Sequence, residues 1–148
     1  MKTSIATILF LLINLFAFSQ DRSSPPKSVR ESFQKSYPQS QPTRWDHNSG
    51  GWSAVFDDKD HNDGEATAHF DSRGRHVDTH IAYDNADVPT PVVDNLRRKY
   101  QGSDNYEFTR IDHPGGGAVF QAKFTHQTKR RTRYFDQTGN EKDYHDRH

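Results

Sequence analysis

Hydrophobic positions along this chain change spacing several times, and each change marks an element. Ile5 to Phe18 is an apolar run broken only by Thr7 and Asn14. Val29, Phe33 and Tyr37 then recur at i, i+4 and i+8, one stripe of a short amphipathic helix. Ser24 or Ser28 can cap it near Pro26, and Pro38 stops it. Thr43 to His47 reads as a first strand, closed by the turn Asn48-Ser49-Gly50-Gly51. Beyond it the period is two: Trp52, Ala54 and Phe56, then Ala66, Ala68 and Phe70, then Val77, Thr79, Ile81 and Tyr83 form the inner faces of three more strands.

The second half repeats this order. Val92 or Val93, Leu96 and Tyr100 form a second helical stripe, which Gly102 ends. Tyr106 to Asp112 stands for the first strand, and Ala118, Phe120, Ala122 and Phe124 for the second. Arg131, Arg133 and Phe135 share one parity and Thr132 and Tyr134 the other, which leaves the facing of that strand open. Asn140 to Tyr144 is a weak last strand, and Tyr144 to His148 a frayed tail. Two motifs support duplication. Arg44-x-Asp46-His47-x-x-Gly50-Gly51 returns as Arg110-x-Asp112-His113-x-x-Gly116-Gly117, and Phe70-Asp71-x-x-Gly74 as Phe135-Asp136-x-x-Gly139. The first motif is an architectural marker that sets the register of the two halves, with its glycines in the turn. The expected fold is α+β: two tandem repeats, each a helix plus a four-stranded antiparallel meander, at 27–84 and 85–148. Neither copy buries much alone, so the two are expected to share one core. Joined edge to edge, they give one sheet of about eight strands with both helices on one face.

Composition sharpens the first run into a leader. With Lys2 before it and Ala17 and Ser19 at the −3 and −1 places, residues 1–19 read as a signal peptide cut before Gln20, and 20–26 as a linker. The run is too short for a comfortable membrane span, so no stable membrane insertion is expected after cleavage. Removing it leaves 19 Lys+Arg against 20 Asp+Glu, a formal charge of −1. That balance points away from nucleic acid and from an anionic membrane. No Cys is present, so no disulfide supports the fold and no thiol can serve as nucleophile. The whole chain has a mean hydropathy of −1.09. The expected location is the periplasm or outside the cell.

The order of helix, Tyr-Pro, Trp strand, Gly-Gly turn, aromatic strand and Phe-Asp-x-x-Gly turn resembles the PepSY-like family. More narrowly it is similar to the beta-lactamase-inhibitor-like PepSY-like proteins exported by Bacteroidetes-type bacteria. The residues that carry this are Val29, Phe33, Tyr37, Pro38, Trp45, Trp52, Ala54, Phe56, Ala68, Phe70, Asp71 and Gly74, and in the second copy Val88, Pro89, Val92, Leu96, Tyr100, Ile111, Phe120, Ala122, Tyr134, Phe135, Asp136 and Gly139. The resemblance implies an antiparallel sheet with two helices against its convex side and a concave face that binds a protein. No inhibitory contact residue matches position by position, so a general binding role carries over rather than lactamase inhibition.

Candidate chemistry is sparse. Asp46-His47 and Asp112-His113 are adjacent on strands and point to opposite faces, so neither is a general-base dyad. Gly115-Gly116-Gly117 lacks the Lys and helix of a phosphate loop. Asp57 to Gly64 echoes a calcium loop without its required Gly and Glu spacing, and a solvated hairpin turn accounts for it. His76, Asp78 and His80 alternate along one strand and are expected on one face, with His69 nearby, as ligands for a divalent metal. The leading reading is an exported, non-enzymatic binding module without cofactor. It engages a protein or peptide partner through the solvent-facing sheet, with Trp45, Trp52, His69, Lys129, Arg131 and Arg133 as contact residues. The alternative is a periplasmic small-ligand or metal-ion binder using His69, His76, Asp78 and His80.

Overall fold

The computed structural model describes residues 24–59 and 64–144. The expected leader, most of the linker, the centre of the polar Asp57–Gly64 turn and the last four residues lie outside them. Helix α1 spans Lys27–Ser36 and buries Val29 and Phe33; helix α2 spans Thr90–Lys99 and buries Val92 and Leu96. Neither Ser24 nor Ser28 caps α1. Pro26 holds the cap position, with no side-chain cap bond, and its carbonyl accepts from the Val29 and Arg30 amides, both at 3.1 Å. Pro89 does the same for α2, accepting from Val92 and Val93 at 2.9 and 3.3 Å. Both prolines have the extended ψ that a residue just outside a helix requires, and neither has an amide to leave unsatisfied. Among the described residues no helix is long and apolar enough to cross a membrane.

The strands are β1 (Pro42–Asn48), β2 (Gly51–Asp58), β3 (Gly64–Asp71), β4 (His76–Tyr83), β5 (Asp104–Asp112), β6 (Ala118–His126), β7 (Lys129–Phe135) and β8 (Glu141–Lys142). They form one antiparallel sheet in sequence order, the two halves meeting where β4 pairs with β5. One cross-sheet row explains the layering. Phe56, Ala66, Ile81, Arg110, Phe120 and Phe135 are successive direct partners, so all six point to one side. Phe56, Ala66 and Ile81 pack with Val29 and Phe33 of α1, whereas Phe120 and Phe135 pack with Val92 and Leu96 of α2. Both helices therefore lie on the same face. The expected single core is instead two clusters, one beneath each helix, with Arg110 in the row between them and Tyr83 packed against both.

The Phe-Asp-x-x-Gly turns seat the helices. Asp71 Oδ1 accepts from the Arg73 and Arg75 amides at 2.9 Å each, and Asp136 Oδ1 from those of Thr138 and Asn140 at 3.0 Å each. Gly74 and Gly139, at φ 81° and 83°, then pass against the first turns of α1 and α2. A Cβ on Gly139 would sit 2.4 Å from the Pro91 carbonyl oxygen, and one on Gly74 would sit 3.0 Å from the Ser28 carbonyl carbon. Close backbone approach, more than turn geometry alone, is why glycine stands at both places.

The Arg-x-Asp-His motif does not set the register as expected. Trp45 pairs with Ala54, while Arg110 pairs with Phe120, the residue equivalent to Ala54. Spatially, Arg110 takes the place of Trp45 and Asp112 that of His47. The loop after Asp112 holds one residue more than the loop after His47, and a one-residue slip moves a side chain to the other face.

Candidate functional site

The face that bears no helix among the described residues carries a second row: Arg44, Val55, Thr67, His80, Ile111 and Val119 are successive direct partners. Beside it Ser53 pairs with His69, and His69 with Asp78. Asp78 and His80 share this face, as alternation along β4 requires. His76 does not. The register shifts between His69 and Phe70, so that Asp78 faces His69 while His76 faces Phe70, and Val77 is the extra residue of a bulge. That extra residue turns His76 to the helix side. There His76 Nε2 donates to the Asp78 carbonyl oxygen at 3.0 Å and lies 2.8 Å from Thr79 Oγ1, which is hydrogen-bonded to the Tyr37 hydroxyl. The ring lies against Phe70 and Tyr37, with centroids 5.3 and 5.8 Å away. Burial pushes the His76 imidazole below its ordinary pKa and the Tyr37 phenol above its own.

His69, Asp78 and His80 converge. His69 Nδ1 is 2.8 Å from Asp78 Oδ1, and His80 Nε2 is 3.5 Å from the same oxygen. The two imidazole rings meet edge to face, 4.7 Å between centroids at 82°. One donor atom from each residue lies within 4.8 Å of the other two. The Asp78 side chain is 2% exposed and the two histidines 15% and 20%, so the carboxylate is enclosed while both rings reach the surface. Such a set can hold a proton between nitrogen and oxygen, or present two nitrogens and an oxygen to one cation.

The other expected contact residues do not join His69. Trp45 and Trp52 are half-buried against the α1 cluster, on the helix side near the β1 edge. Lys129, Arg131 and Arg133 lie at the far edge. Pairing of Arg131 with Phe124, and of Arg133 with Ala122, settles the facing of β7: its odd residues share the helix side, and Thr132 and Tyr134 point away. Arg133 Nε lies 2.7 Å from the Tyr100 hydroxyl and 3.0 Å from Glu141 Oε1, with its guanidinium 5.5 Å from the Tyr100 ring centre. Glu141 also pairs with Lys99, so the end of α2 is tied to β8 through this network.

Three further features of the sheet go beyond the sequence reading. Gln121 donates to the Tyr134 hydroxyl at 3.1 Å. Tyr144, expected to fray, is half-buried, with its ring 4.8 Å from that of Tyr134 and 5.8 Å from that of His113. The repeated Arg-x-Asp spacing makes an ion pair along each strand, Arg44 with Asp46 and Arg110 with Asp112, each at 2.8 Å. The signal for these pairs was present, since residues two apart on a strand share a face. The slip described above puts the first pair on the helix-free face and the second on the helix face.

No protein-family model matches the chain, and no curated protein sequence does. Solved structures do. The chain is similar to a BLIP-like protein from Bacteroides fragilis NCTC 9343, with a TM-score of 0.71 at 16% identity over 81% of this chain and 84% of that one. It is similar to a DUF2874 family protein from Bacteroides ovatus ATCC 8483, with a TM-score of 0.70 at 20% identity over 80% and 84%. A third, from Bacteroides eggerthii DSM 20697 and provisionally described as periplasmic, gives a TM-score of 0.68 at 16% identity over 80% and 86%. At these identities the likeness is one of fold, and the eight-stranded sheet with two helices on one side is a BLIP-like fold.

Proposed function

We propose that this protein is an exported, non-enzymatic binding module that engages a protein or peptide partner through the helix-free face of its sheet. The observation that carries the reading is the one-sided layering: both helices pack on one side, and the described residues place no helix on the other. That face is held rigid by strand pairing; its centre, at Val55, Asp78, Ile111 and Gln121, is buried, and its exposed groups lie around that centre. It carries exposed Arg44 and the half-buried rings of Tyr134 and Tyr144, 4.8 Å apart, and arginine and tyrosine are enriched where proteins bind one another. The signal-peptide pattern of residues 1–19 and the fold shared with a provisionally periplasmic protein support export. The likeness to a BLIP-like protein supports a partner-binding role.

The experiment is capture from the envelope and culture medium of the producing cell, with residues 20–148 as bait and crosslinking before elution. Arg44→Glu together with Tyr134→Ala should abolish recovery of the specific partner. Lys35→Glu together with Arg97→Glu, on the exposed sides of the helices, should leave it intact. Recovery lost only with the helix variants would reverse the assignment of the face.

A further inference from the structure

We propose that His69, Asp78 and His80 form a binding site for a single divalent transition-metal ion of the zinc type. This goes beyond the partner-binding reading and does not depend on it. The donors are of the right kind: two imidazoles and one carboxylate suit zinc, nickel and copper, whereas magnesium and calcium require oxygen. Their spacing is right as well. Zinc bonds of about 2.0–2.1 Å in tetrahedral geometry set neighbouring donors roughly 3.3 Å apart. The separations of 2.8 and 3.5 Å from the shared Asp78 oxygen bracket that value, and the 4.8 Å that bounds the set leaves a small rotation of either ring to close it.

The scaffold favours preorganisation. The three residues stand on β3 and β4, which are inner strands paired on both sides, and the Val77 bulge aims Asp78 directly at His69. The carboxylate is almost wholly enclosed, and an enclosed negative charge is costly unless a cation or a set of hydrogen bonds offsets it. A divalent ion bound between the rings would take the place of the proton now held between His69 Nδ1 and this carboxylate. The partial exposure of both histidines leaves its fourth position open to water or to an outside donor.

The test is a zinc titration of residues 20–148, which hold every described element, in chelator-stripped buffer at pH 7.5, with a chromophoric chelator as competitor. One ion per chain should bind at micromolar affinity or tighter and raise the thermal midpoint by on the order of 5 °C at saturation. His69→Ala and His80→Ala should each weaken binding at least tenfold. His76→Ala, on the other side of the sheet, should leave it within about twofold, as should the tail variant His145→Ala/His148→Ala. Asp78→Asn keeps the side chain's size and guards against a variant that fails to fold. In the wild-type protein, zinc should shift the imidazole nitrogen resonances of His69 and His80 and spare that of His76. Absence of stoichiometric binding, binding that survives both histidine substitutions, or resonance shifts confined to other histidines would each overturn the proposal.

Discussion

Gly139 has room for no side chain, because a Cβ there would meet the Pro91 carbonyl at 2.4 Å and the residue sits at φ 83°. Either α2 must move off the turn or the turn must open. Gly139→Ala is expected to cost about 2–3 kcal/mol, combining left-handed backbone strain with lost helix packing. Gly115→Ala, where nothing lies within 4 Å of the added atom, should stay within about 0.5 kcal/mol, both read from urea midpoints. His76 carries a pH prediction. Burial lowers its folded-state pKa below the unfolded value of about 6.5, so as pH falls the unfolded chain takes up a proton that the folded ring resists. The stability tied to this residue is complete above about pH 6.5 and declines as the pH drops toward the folded pKa. His76→Gln should therefore flatten the fall in stability between pH 7.5 and 5.5 relative to wild type, and an unchanged slope would place the buried proton equilibrium elsewhere.

At the scale of elements, β7 shows how a strand can be stable and yet unreadable. Its run Lys129-Arg130-Arg131-Thr132-Arg133 has no apolar alternation, so its facing is decided by its partner β6 and by Tyr100 and Glu141 across the α2 end. Arg133→Ala is expected to cost roughly 1 kcal/mol through the lost ring contact and ion pair, against less than about 0.5 for Thr132→Ala on the other face. A thermal-shift comparison of the two measures that asymmetry. The helices were legible because Val29, Phe33 and Tyr37, and Val92, Leu96 and Tyr100, keep the helical period and a proline bounds each start. The strands β2, β3 and β6 were legible because Ala54, Phe56, Ala68, Phe70, Phe120 and Ala122 alternate cleanly. What failed was anything set by a single inserted residue. The bulge at Val77 leaves no mark in the alternation His76-x-Asp78-x-His80, yet it removes His76 from the face of the other two. The extra residue after Asp112 is hidden by the matching glycines, and it turns the second Arg-Asp pair over. Period-two alternation fixes the facing of a side chain only as far as the next irregularity in pairing.

For the whole molecule, duplication has produced two packed units on one continuous sheet rather than one interdigitated core. Val29 and Val92 are equivalent, each at 0% exposure, and each lies in a different cluster; Tyr83 touches both clusters. Truncating either valine to alanine removes two buried methyl groups and leaves a small cavity, at a cost of about 2 kcal/mol. If the clusters are energetically separate, the double variant Val29→Ala/Val92→Ala should equal the sum of the singles within about 0.5 kcal/mol. Cycles that combine Tyr83→Leu with either valine variant should instead show coupling, because its ring is shared. The sheet must still hold the units together, and β4 and β5 pair from Thr79–Asp112 to Tyr83–Phe108, across the gap between clusters. Unfolding followed by circular dichroism and by Trp fluorescence should therefore coincide in one transition, although both tryptophans report from the first unit. Strong non-additivity of the two valines would mean a single core after all. A Trp transition separate from the loss of secondary structure would mean that the β4–β5 joint is too weak to make the duplicated halves one cooperative unit.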